Sequence, residues 1–567
     1  MRSLLGQLWS LPPARPAEAL PLAARLGLPP VAAACVLRRV GPAAADAFLA
    51  PAWGHLHDPY AMRGMDIAVE RVRRAVRDGE AVRIVTDYDV DGTTSSLILQ
   101  GVLRRLGGGA RLSYHIPDRF DEGYGLSVRA AEKAAADGVG LLLTADIGVR
   151  DHAAVAAARA GGVDVLVLDH HLPSGESVPA DALAVLCPPQ EGCPYPNRAL
   201  AACGVSFKLA QALLADDPRR DELLRSLLKM AAIGTVADVV DLAPLENRAI
   251  VALGLEALSA GGHQPGLAAL LAVAGLEGRA LTASDLGFRI GPRINAAGRL
   301  ESASAVISLF DTRDPAEARA RAEQLDALNR QRQSIQDALV DEVLRGVGDA
   351  PRPFVVAAGP EAEGWHRGVV GIVAARVRDR VHRPAAVVAV NGELATGSVR
   401  SVPGVHAVQA LDTCADFLVR YGGHPVAAGF TVRTADLGRL QERLDAAVQA
   451  AGEGALVPTL DLDAECPLGA LDLGLAEALA RLEPHGKGNP APRLWVPGVR
   501  AGDLRSVGER HLGFRAGALD AVWWGGRAHQ DALRAGPVDL AGTLGFNVWN
   551  GRRTLRFTVE DARPAAG

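Results

Sequence analysis

Short apolar runs alternate with helical patterns from residue 81 to residue 171, and no other feature limits the possible folds as strongly. The apolar runs are short enough for strands, and the segments between them have the spacing of helices. Strands joined through helices run parallel and are covered on both faces. The sequence therefore predicts an α/β fold with a mostly parallel sheet. The predicted strands are "AVRIVTD" (81–87), "ARLSYHI" (110–116), "GLLLTAD" (140–146) and "VDVLVLDHH" (163–171).

Acidic and histidine side chains follow three of these predicted strands, at the point where each strand ends. The carboxyl ends of parallel strands line one edge of a sheet, where ligands usually bind. A further acid lies in "AAIGTVADVVDL" (231–242), where the Gly-Thr pair predicts a turn. We therefore expect one acidic cluster along this edge. Its predicted members are Asp87, Asp89, Asp91, Asp146, Asp169, His170, His171 and Asp238.

The first of these stretches, "DYDVDG" (87–92), can begin several different sites. A calcium loop of the EF-hand type needs a bidentate glutamate at its twelfth position, but that residue is Ile98. A phosphatase of the haloacid-dehalogenase type needs a downstream catalytic lysine, and none of the four lysines is suitably placed. A polar turn that caps the next helix would explain one acid. The remaining interpretation is a metal-binding strand end with more ligands downstream.

Crowded carboxylates need positive charge. Two of them about 4 Å apart repel by about 4 kcal/mol at an effective dielectric constant near 20. Four or five carboxylates with one or two imidazoles suit Mn²⁺ or Mg²⁺ better than zinc. Two such ions can stabilise the charge that develops on a phosphate during an in-line displacement. The cluster therefore predicts a two-metal site for phosphate chemistry.

Three further regions follow the strand-rich segment. Helical patterns dominate residues 204–347 and end in an unusually long helix, 315–346, with Asp314 as its N-cap. A second α/β pattern follows, with an Asn-Gly turn at Asn391. Short strand patterns after about residue 493 predict a small β-barrel or sandwich.

The tail differs from the rest of the chain in charge. Residues 481–567 hold 13 Lys and Arg against eight Asp and Glu, whereas the remainder holds 47 against 57. The tail also contains four of the seven tryptophans. Aromatic side chains among cations suit single-stranded nucleic acid, although a small barrel also needs aromatic residues in its core. The tail is therefore a candidate nucleic-acid-binding module.

The composition argues against several classes of protein. No run of about 18 apolar residues occurs, so a membrane span is not expected. The N-terminus lacks the apolar core of a signal peptide. Six cysteines with irregular spacing fit neither a zinc site nor a disulfide framework, which favours a cytoplasmic setting. A phosphate-binding Gly-x-x-x-x-Gly-Lys-Ser/Thr loop is also lacking, which argues against a built-in ATP motor.

Several motifs together resemble a known family. "DYDVDG", "TADIG", "DHH" and "GTVAD" are similar to the four successive motifs of the DHH phosphoesterase superfamily. Later segments narrow the resemblance to RecJ-type single-strand-specific 5′-exonucleases, from about residue 50 to the end. They are "GFRIGPRINAAGRL" (287–300), "WHRGVVGIVAARV" (365–377), "GSVRS" (397–401), "GGHPVAAGF" (422–430) and "PHGKGNPAP" (484–492).

The resemblance implies a domain order. After an N-terminal extension (1–55) it implies a DHH catalytic domain (56–313) and a connecting helix (314–347). A DHHA1 α/β domain (348–455) follows, and then a linker with an OB-fold β-barrel (456–567). Some family members carry a further C-terminal domain, which we do not expect here.

The resemblance also implies roles for individual residues. It assigns two divalent ions, Mn²⁺ or Mg²⁺, to Asp89, Asp91, Asp146, His170 and Asp238. Asp87 and Asp169 complete the acidic shell or orient ligands, and His171 faces the scissile phosphate as a stabiliser or general acid. Any single arginine of the implied substrate set could instead form a salt bridge between domains. The implied substrate-binding residues are Arg119, Arg293, Arg299, Ser398, Arg400, Ser401 and His424.

The implied activity is hydrolysis of single-stranded DNA from the 5′ end to 5′-mononucleotides, in DNA repair and recombination. A passage between the DHH and DHHA1 domains, too narrow for a duplex, would select single strands. The chain is expected to be a monomer, with a single-strand-binding protein and a helicase as candidate partners. Two alternatives stay open: a DHH phosphodiesterase of short oligonucleotides or cyclic dinucleotides, and a non-catalytic DHH scaffold protein.

Overall fold

A computed structural model describes residues 2–11, 13, 15–107, 111–118, 122–173, 175, 177–348, 350–549 and 552–565. The chain divides into two compact units, and each is described by itself. Unit A comprises Arg15–Asn329 and Gly474–Pro492. Unit B comprises Met1–Ala14, Arg330–Leu473 and Arg493–Gly567.

The elements are numbered in chain order. The strands are β1 (Leu8–Ser10), β2 (Ala81–Thr86), β3 (Arg111–His115), β4 (Leu141–Ala145), β5 (Asp164–Leu168), β6 (Ala184–Leu186), β7 (Val355–Pro360), β8 (Ala385–Asn391), β9 (Leu394–Arg400), β10 (Leu418–His424), β11 (Ala427–Arg433), β12 (Thr459–Asp461), β13 (Ala464–Glu465), β14 (Leu494–Val499), β15 (Ala501–Val507), β16 (His511–Ala516), β17 (Leu519–Trp523), β18 (Val538–Trp549) and β19 (Arg552–Pro564). The helices are α1 (Pro16–Leu26), α2 (Pro30–Leu37), α3 (Ala45–Leu49), α4 (Met65–Asp78), α5 (Val90–Leu106), α6 (Val128–Ala136), α7 (His152–Ala160), α8 (Ala202–Leu213), α9 (Arg220–Ala237), α10 (Leu245–Ser259), α11 (Pro265–Val273), α12 (Ala283–Asp285), α13 (Gly291–Leu300), α14 (Ser304–Asp311), α15 (Pro315–Val347), α16 (Val370–Val381), α17 (Ala407–Asp412), α18 (Leu437–Ala451), α19 (Leu473–Ala480) and α20 (Gln530–Ala535). A π-helical turn, Leu286–Ile290, joins α12 to α13.

Unit A is built on a five-stranded sheet in the order β3-β2-β4-β5-β6, and its pairings are all parallel. Successive residues of β4 point to opposite faces, as a strand requires. Leu141 and Leu143 join a core that includes residues of α4, α5 and α8. Leu142 joins a second core, with residues of α6 and α7. The predicted parallel sheet covered on both faces is confirmed.

The order of strands creates a crevice at one edge of this sheet. The chain passes from β2 to β3 on one side, and then crosses to β4 on the other side of β2. Connections that diverge in this way leave a crevice at the carboxyl ends of the strands, where ligands bind in open α/β sheets. Thr86 and Ala145, the last residues of β2 and β4, are paired in register. The next residues, Asp87 and Asp146, therefore lie side by side at this crevice.

Asp238 reaches its position differently from the prediction. The "GTVAD" segment does not form a turn but belongs to α9, and Asp238 is the C-cap of that helix. A Cβ at Gly234 would overlap the side chains of Thr94 in α5 and Cys203 in α8. The glycine therefore serves close helix packing, and the prediction of a Gly-Thr turn was wrong.

The long helix predicted from residue 315 is confirmed as α15, which has 33 residues. The Oδ1 atom of Asp314 accepts a hydrogen bond from the backbone N of Ala316 at 2.9 Å, as an N-cap does. Leu325 of α15 is buried in the core of unit A, and Leu339 is buried in a core of unit B. The helix is therefore held at both ends by apolar packing.

The second α/β pattern forms a five-stranded sheet in unit B, in the order β10-β11-β9-β8-β7. β7 and β8 pair in parallel, and the other neighbours pair antiparallel. Asn391 is still paired with Leu394 in the sheet. The turn therefore consists of Gly392 and Glu393, one residue later than predicted. Gly392 has φ 62°, a value that glycine adopts without strain.

The tail forms a seven-stranded sheet in the order β13-β14-β18-β19-β17-β16-β15. The short strand patterns predicted after about residue 493 are confirmed as β14, β16, β17, β18 and β19. The N-terminal strand β1 also belongs to unit B, where it pairs in parallel with β12. Trp9 of β1 donates from its indole Nε1 to Oδ2 of Asp561 at 2.9 Å. The first residues of the chain thus contribute to the same unit as its last strands.

Within the described part of the chain, no single helix is both long and apolar enough to cross a bilayer. The helices α1 and α2 reach the necessary length and hydropathy only when they are taken together, and their axes are bent by 113°. Both helices contribute buried residues, Leu22 and Val36 among them.

Candidate metal centre and active site

The loop after β2 and the first turn of α5 each carry an acid that caps a helix. Asp89 is the N-cap of α5, and its Oδ1 accepts from the backbone N atoms of Asp91 (2.8 Å) and Gly92 (3.1 Å). The carboxylate of Asp91 accepts from Ala202 N at 2.7 Å and from Cys203 N at 2.8 Å. These two residues begin α8, so Asp91 satisfies backbone donors at the start of a second helix. Capping therefore accounts for two of the three acids, where the sequence suggested one.

Glycines allow this loop its compact shape. A Cβ at Gly92 would overlap the backbone of Asp87, so the loop closes only with glycine there. A Cβ at Gly298 in α13 would come within 2.7 Å of the carbonyl oxygen of Tyr88. The motif "GFRIGPRINAAGRL" thus packs directly against the acidic loop.

Asp146 occupies an unusual backbone conformation at the end of β4. Its φ of 65° lies in the left-handed region, which residues other than glycine seldom adopt. Its backbone N donates to the Leu168 carbonyl at 3.0 Å, and its own carbonyl accepts from the Tyr124 hydroxyl at 3.2 Å. Strained backbone held by such contacts is common at functional sites.

Among the described residues, potential metal ligands gather in three overlapping groups. Within each group, one ligand atom from every residue lies within 4.8 Å of the others. Asp146 and His170 each belong to two groups, so the three groups form one continuous cluster. The groups are Asp87-Asp89-Asp146, Asp91-His170-Asp238 and Asp146-His170-His171.

The imidazole of His170 lies at the centre of this cluster. Its Nε2 is 3.2 Å from Oδ1 of Asp146, 3.7 Å from Oδ2 of Asp238 and 3.9 Å from Oδ2 of Asp91. Nε2 is buried, yet no described atom forms a hydrogen bond with it. Burial lowers the pKa of His170, so the ring is neutral at pH 7. A buried, neutral and unbonded nitrogen among carboxylates fits a metal ligand.

The pKa values of the carboxylates also indicate a metal site. Burial, and then repulsion by Asp89 and Asp91, raises the pKa of Asp146 well above its usual range. Burial is also the main cause of the raised pKa of Asp91. Burial followed by repulsion from Asp91 raises the pKa of Asp238 to about 9. The acids therefore cannot all ionise at neutral pH without cations between them, and two divalent ions would reverse the repulsion.

Asp169 differs from the other acids because backbone and histidine donors surround its carboxylate. Oδ1 accepts from the backbone N atoms of His170 (2.7 Å) and His171 (3.1 Å), and Oδ2 accepts from Val149 N at 3.1 Å. Oδ1 also lies 2.8 Å from Nδ1 of His171. Burial lowers the pKa of His171, but the bond to Asp169 and its charge outweigh burial, so that pKa is raised. Asp169 thus orients the turn that carries both histidines.

Arg293, a predicted substrate residue of unit A, is engaged by contacts within that unit. Arg293 lies 3.0 Å (Nε) and 2.8 Å (Nη2) from Oδ1 of Asp326, and its Nη1 donates to the Arg289 carbonyl. Arg299 is half-buried in the last turn of α13. Arg119 lies outside the described residues.

Two predicted substrate residues of unit B, Ser398 and Arg400, lie together on β9. Nη1 of Arg400 donates to Oγ of Ser398 at 2.7 Å. A Cβ at Gly371 would lie 3.1 Å from both Ser398 Oγ and Arg400 Nη2, so the first turn of α16 faces this pair. Buried Ser401 donates from its backbone N to the carbonyl of Val426 at 2.9 Å, in the turn between β10 and β11. Exposed His424 ends β10 at that same turn.

Tyr124 is a residue of the site that the sequence did not suggest. Its hydroxyl contacts the Asp146 carbonyl and lies 3.4 Å from both ring nitrogens of His171. The neighbours Gly123 and Gly125 have φ values of 83° and 94°. An aromatic residue between two glycines was the available signal, because such a turn can present a side chain to a site.

The tail tryptophans divide into buried and exposed side chains. Trp523 is buried, whereas 53% of Trp524 is exposed. The ring of His511 meets Trp524 edge-on, at 4.9 Å between centroids. Trp495 is half-buried, and the Arg563 guanidinium lies 5.1 Å from its ring. The Trp549 side chain lies outside the described residues.

Comparison with known proteins identifies the family. Family models match the DHH family N-terminal domain at residues 81–235, the DHHA1 domain at 353–453 and the RecJ OB domain at 462–561. The single-stranded-DNA-specific exonuclease RecJ of Bacillus subtilis is 34% identical over 556 residues, covering 95% of this chain and 69% of that protein. The chain belongs to the RecJ family. The presence of a DHH, a DHHA1 and an OB domain, expected from the resemblance, is thereby confirmed.

Two solved RecJ structures from Thermus thermophilus share this fold. The structure in complex with Mn²⁺ has a TM-score of 0.84 and 31% identity, covering all of this chain and 80% of that one. The structure in complex with Mg²⁺ has a TM-score of 0.78 and 31% identity, covering 99% and 78%. In this RecJ-family chain, the DHH match ends at residue 235, so Asp238 lies just beyond it.

Proposed function

We propose that this chain is a metal-dependent exonuclease that hydrolyses single-stranded DNA from its 5′ end and releases 5′-mononucleotides. The cluster of acids and imidazoles at the sheet crevice carries this proposal, because it suits two divalent ions next to a phosphate. Membership of a family of single-stranded-DNA-specific exonucleases supports the substrate. The proposed setting is DNA repair and recombination in the cytoplasm. The chain would act as a monomer, with a single-strand-binding protein and a helicase as candidate partners.

Mn²⁺ or Mg²⁺ are the proposed ions, and both occur in solved relatives. Asp87, Asp89 and Asp146 would hold one ion, and the group of Asp91, His170 and Asp238 would hold the other. Asp146 could contribute to the binding of either ion, since it shares one ligand group with Asp89 and another with His170. When bound, such ions act as Lewis acids that stabilise negative charge on the scissile phosphate.

The protein's own contribution is to hold protons and orient groups. Asp169 fixes His171 through Nδ1, which leaves Nε2 to face the substrate. Because the pKa of His171 is raised, its imidazolium is available to donate from Nε2 to a phosphate oxygen or to the departing 3′ oxygen. The resemblance gave Asp87 and Asp169 the same role, but we assign them different ones. Asp87 would be a metal ligand, and Asp169 would be a positioning residue.

The 5′-phosphate would bind at the cluster of Ser398 and Arg400. Burial, followed by the charge of Arg378, lowers the pKa of Arg400, and a phosphate would compensate this half-buried cation. Backbone donors in the first turn of α16 add to the site, since the N-terminus of a helix favours anions. Binding of the terminal phosphate would set the polarity of digestion.

A comparison of substrates tests the function. Single strands labelled at either end, duplexes, dinucleotides and cyclic dinucleotides are incubated with Mn²⁺, with and without a chelator. With the 5′-labelled single strand, we expect the labelled mononucleotide to be the first product. We expect no product from duplexes, dinucleotides or cyclic dinucleotides, and none from any substrate in the presence of the chelator. Equal digestion of duplex would contradict strand selectivity. Preference for dinucleotides would favour a short-oligonucleotide phosphodiesterase, and inertness towards every substrate would favour a scaffold protein.

Trp524 offers a separate test of the tail. Replacing it with alanine (Trp524→Ala) removes an exposed ring on which a base can stack, which is worth about 1–3 kcal/mol per base. We therefore expect single-strand affinity to fall by about fivefold or more, measured by fluorescence anisotropy. The matched control is Tyr60→Ala, an equally exposed aromatic residue of unit A. Equal affinities of both variants and the wild type would exclude Trp524 from the binding surface.

A further inference from the structure

A tight turn brings a lysine from late in the chain into unit A. Its central residues are Lys487 and Gly488, in the "PHGKGNPAP" motif. Gly486 and Asn489 close the turn with backbone hydrogen bonds of 2.9 and 3.1 Å. Gly488 has φ 75°, and the carboxylate of Asp241 occupies the space that a Cβ would need. The turn therefore fits closely against the segment that follows Asp238.

Two buried side chains hold the base of this turn. Asn489 donates from Nδ2 to the carbonyls of Leu482 and Pro484, each at 2.8 Å, and its Oδ1 accepts from Arg39. Arg248 is fully buried and donates to the backbone carbonyls of residues 482–484. Buried polar groups that are bonded in this way fix the backbone around them. The position of Lys487 is thus set by the core of the unit.

The tip of the turn lies beside one corner of the metal-ligand cluster. The carbonyl of Lys487 accepts from Leu242 N at 2.8 Å, four residues after Asp238. The Lys487 side chain is exposed to solvent. Gly488 packs against the carboxylate of Asp241, three residues after Asp238. The backbone of Lys487 is therefore held against the segment that leaves the Asp238 corner, while its side chain stays accessible to a ligand.

We propose that Lys487 is a further substrate-binding residue, which contacts a phosphate of the DNA strand as it passes the Asp238 corner. The inference rests on the proposed function and adds to it a residue outside the acidic cluster. Lysine provides a compact point charge, which suits a phosphate approached from solvent. A rigid turn lowers the entropy lost on contact, because only the side chain has to be ordered.

Three variants test the inference. Lys487→Met removes the charge, Lys487→Arg retains it, and Lys133→Met removes an exposed lysine that pairs with Asp137 on α6. We measure KM and kcat on single strands at several salt concentrations, single-strand affinity by anisotropy, Mn²⁺ affinity by calorimetry, and the melting temperature. For Lys487→Met we expect a KM about fivefold higher. The slope of log affinity against log salt should shrink by about 0.7, which is one phosphate contact on a single strand.

The controls separate the outcomes. Lys487→Arg and Lys133→Met should behave as the wild type does, and the Mn²⁺ affinity of Lys487→Met should be unchanged. Unchanged strand affinity and salt slope in Lys487→Met would overturn the inference. So would a changed Mn²⁺ affinity with an unchanged salt slope, since Lys487 would then act only on Asp238. If the wild type binds single strands but cleaves none, the proposed function fails, while the anisotropy data still decide the role of Lys487.

Discussion

Replacing Asp146 with asparagine (Asp146→Asn) should lower turnover by about 1,000-fold or more while binding of single strands persists. Asp146 shares a ligand group with Asp89 and another with His170, so its loss should weaken the binding of both proposed ions together. Loss of several kcal/mol of transition-state stabilisation corresponds to this factor. Asparagine is the suitable replacement because it tolerates the φ of 65° better than alanine does.

The same variant has a second readout that does not depend on activity. The pKa of Asp146 is raised in the folded protein, so the folded state holds this proton more tightly than the unfolded state. Stability of the metal-free protein therefore falls as pH rises from about 4 towards the folded pKa. Asp146→Asn removes this loss, and the metal-free melting temperature at pH 7 should rise. The control is Asp137→Asn, since Asp137 is an exposed acid that pairs with Arg83. This control should neither lower turnover nor raise the metal-free melting temperature. Full activity of Asp146→Asn would remove Asp146 from the ligand set.

Replacing Asp169 with asparagine (Asp169→Asn) should lower kcat by roughly 100-fold, with a smaller effect on KM. Oδ1 accepts three hydrogen bonds and Oδ2 accepts one. In either orientation of the asparagine side chain, its NH₂ group would face a backbone or imidazole N–H instead of an acceptor. The turn that carries His170 and His171 therefore loses its alignment. Steady-state kinetics on single strands measure the effect.

A double-mutant cycle shows whether Asp169 acts through His171. If it does, the losses from Asp169→Asn and His171→Ala should not add in the double variant. Additive losses would instead indicate a separate function, such as direct metal binding. Asp445→Asn is the matched control, since Asp445 is also buried and accepts from a backbone N, that of Phe354. It should lower the melting temperature and leave kcat unchanged.

The core of unit A could be predicted because its strands have a distinctive pattern. A parallel strand covered on both faces is buried throughout, as β4 is, and reads as a short and nearly continuous apolar run. The acids that follow these strands could therefore be assigned to one edge. β10 was missed because it is almost wholly exposed and contains two adjacent glycines, a composition that indicates a turn.

The errors within the site have one common cause: they involve contacts between distant residues. Gly234 was assigned to a turn because glycine usually marks one, whereas here it lets three helices approach. Asp91 caps α8 across 111 residues of sequence, and no local pattern encodes such a contact. The turn that carries Lys487 bonds to the segment after Asp238, although its sequence resembled a linker. Patterns of period two or 3.6 describe single elements, so contacts between elements need the folded structure.

The second role of Asp91 has an evolutionary consequence. Its carboxylate holds the start of α8, which lies in the core of unit A. Loss of a buried helix cap typically costs about 1 kcal/mol, whether or not the protein still cleaves DNA. Selection for folding would therefore preserve this aspartate in a descendant that has lost hydrolysis. Among such relatives the presence of Asp91 says little about activity, whereas loss of Asp146, which caps no helix here, is the more informative sign.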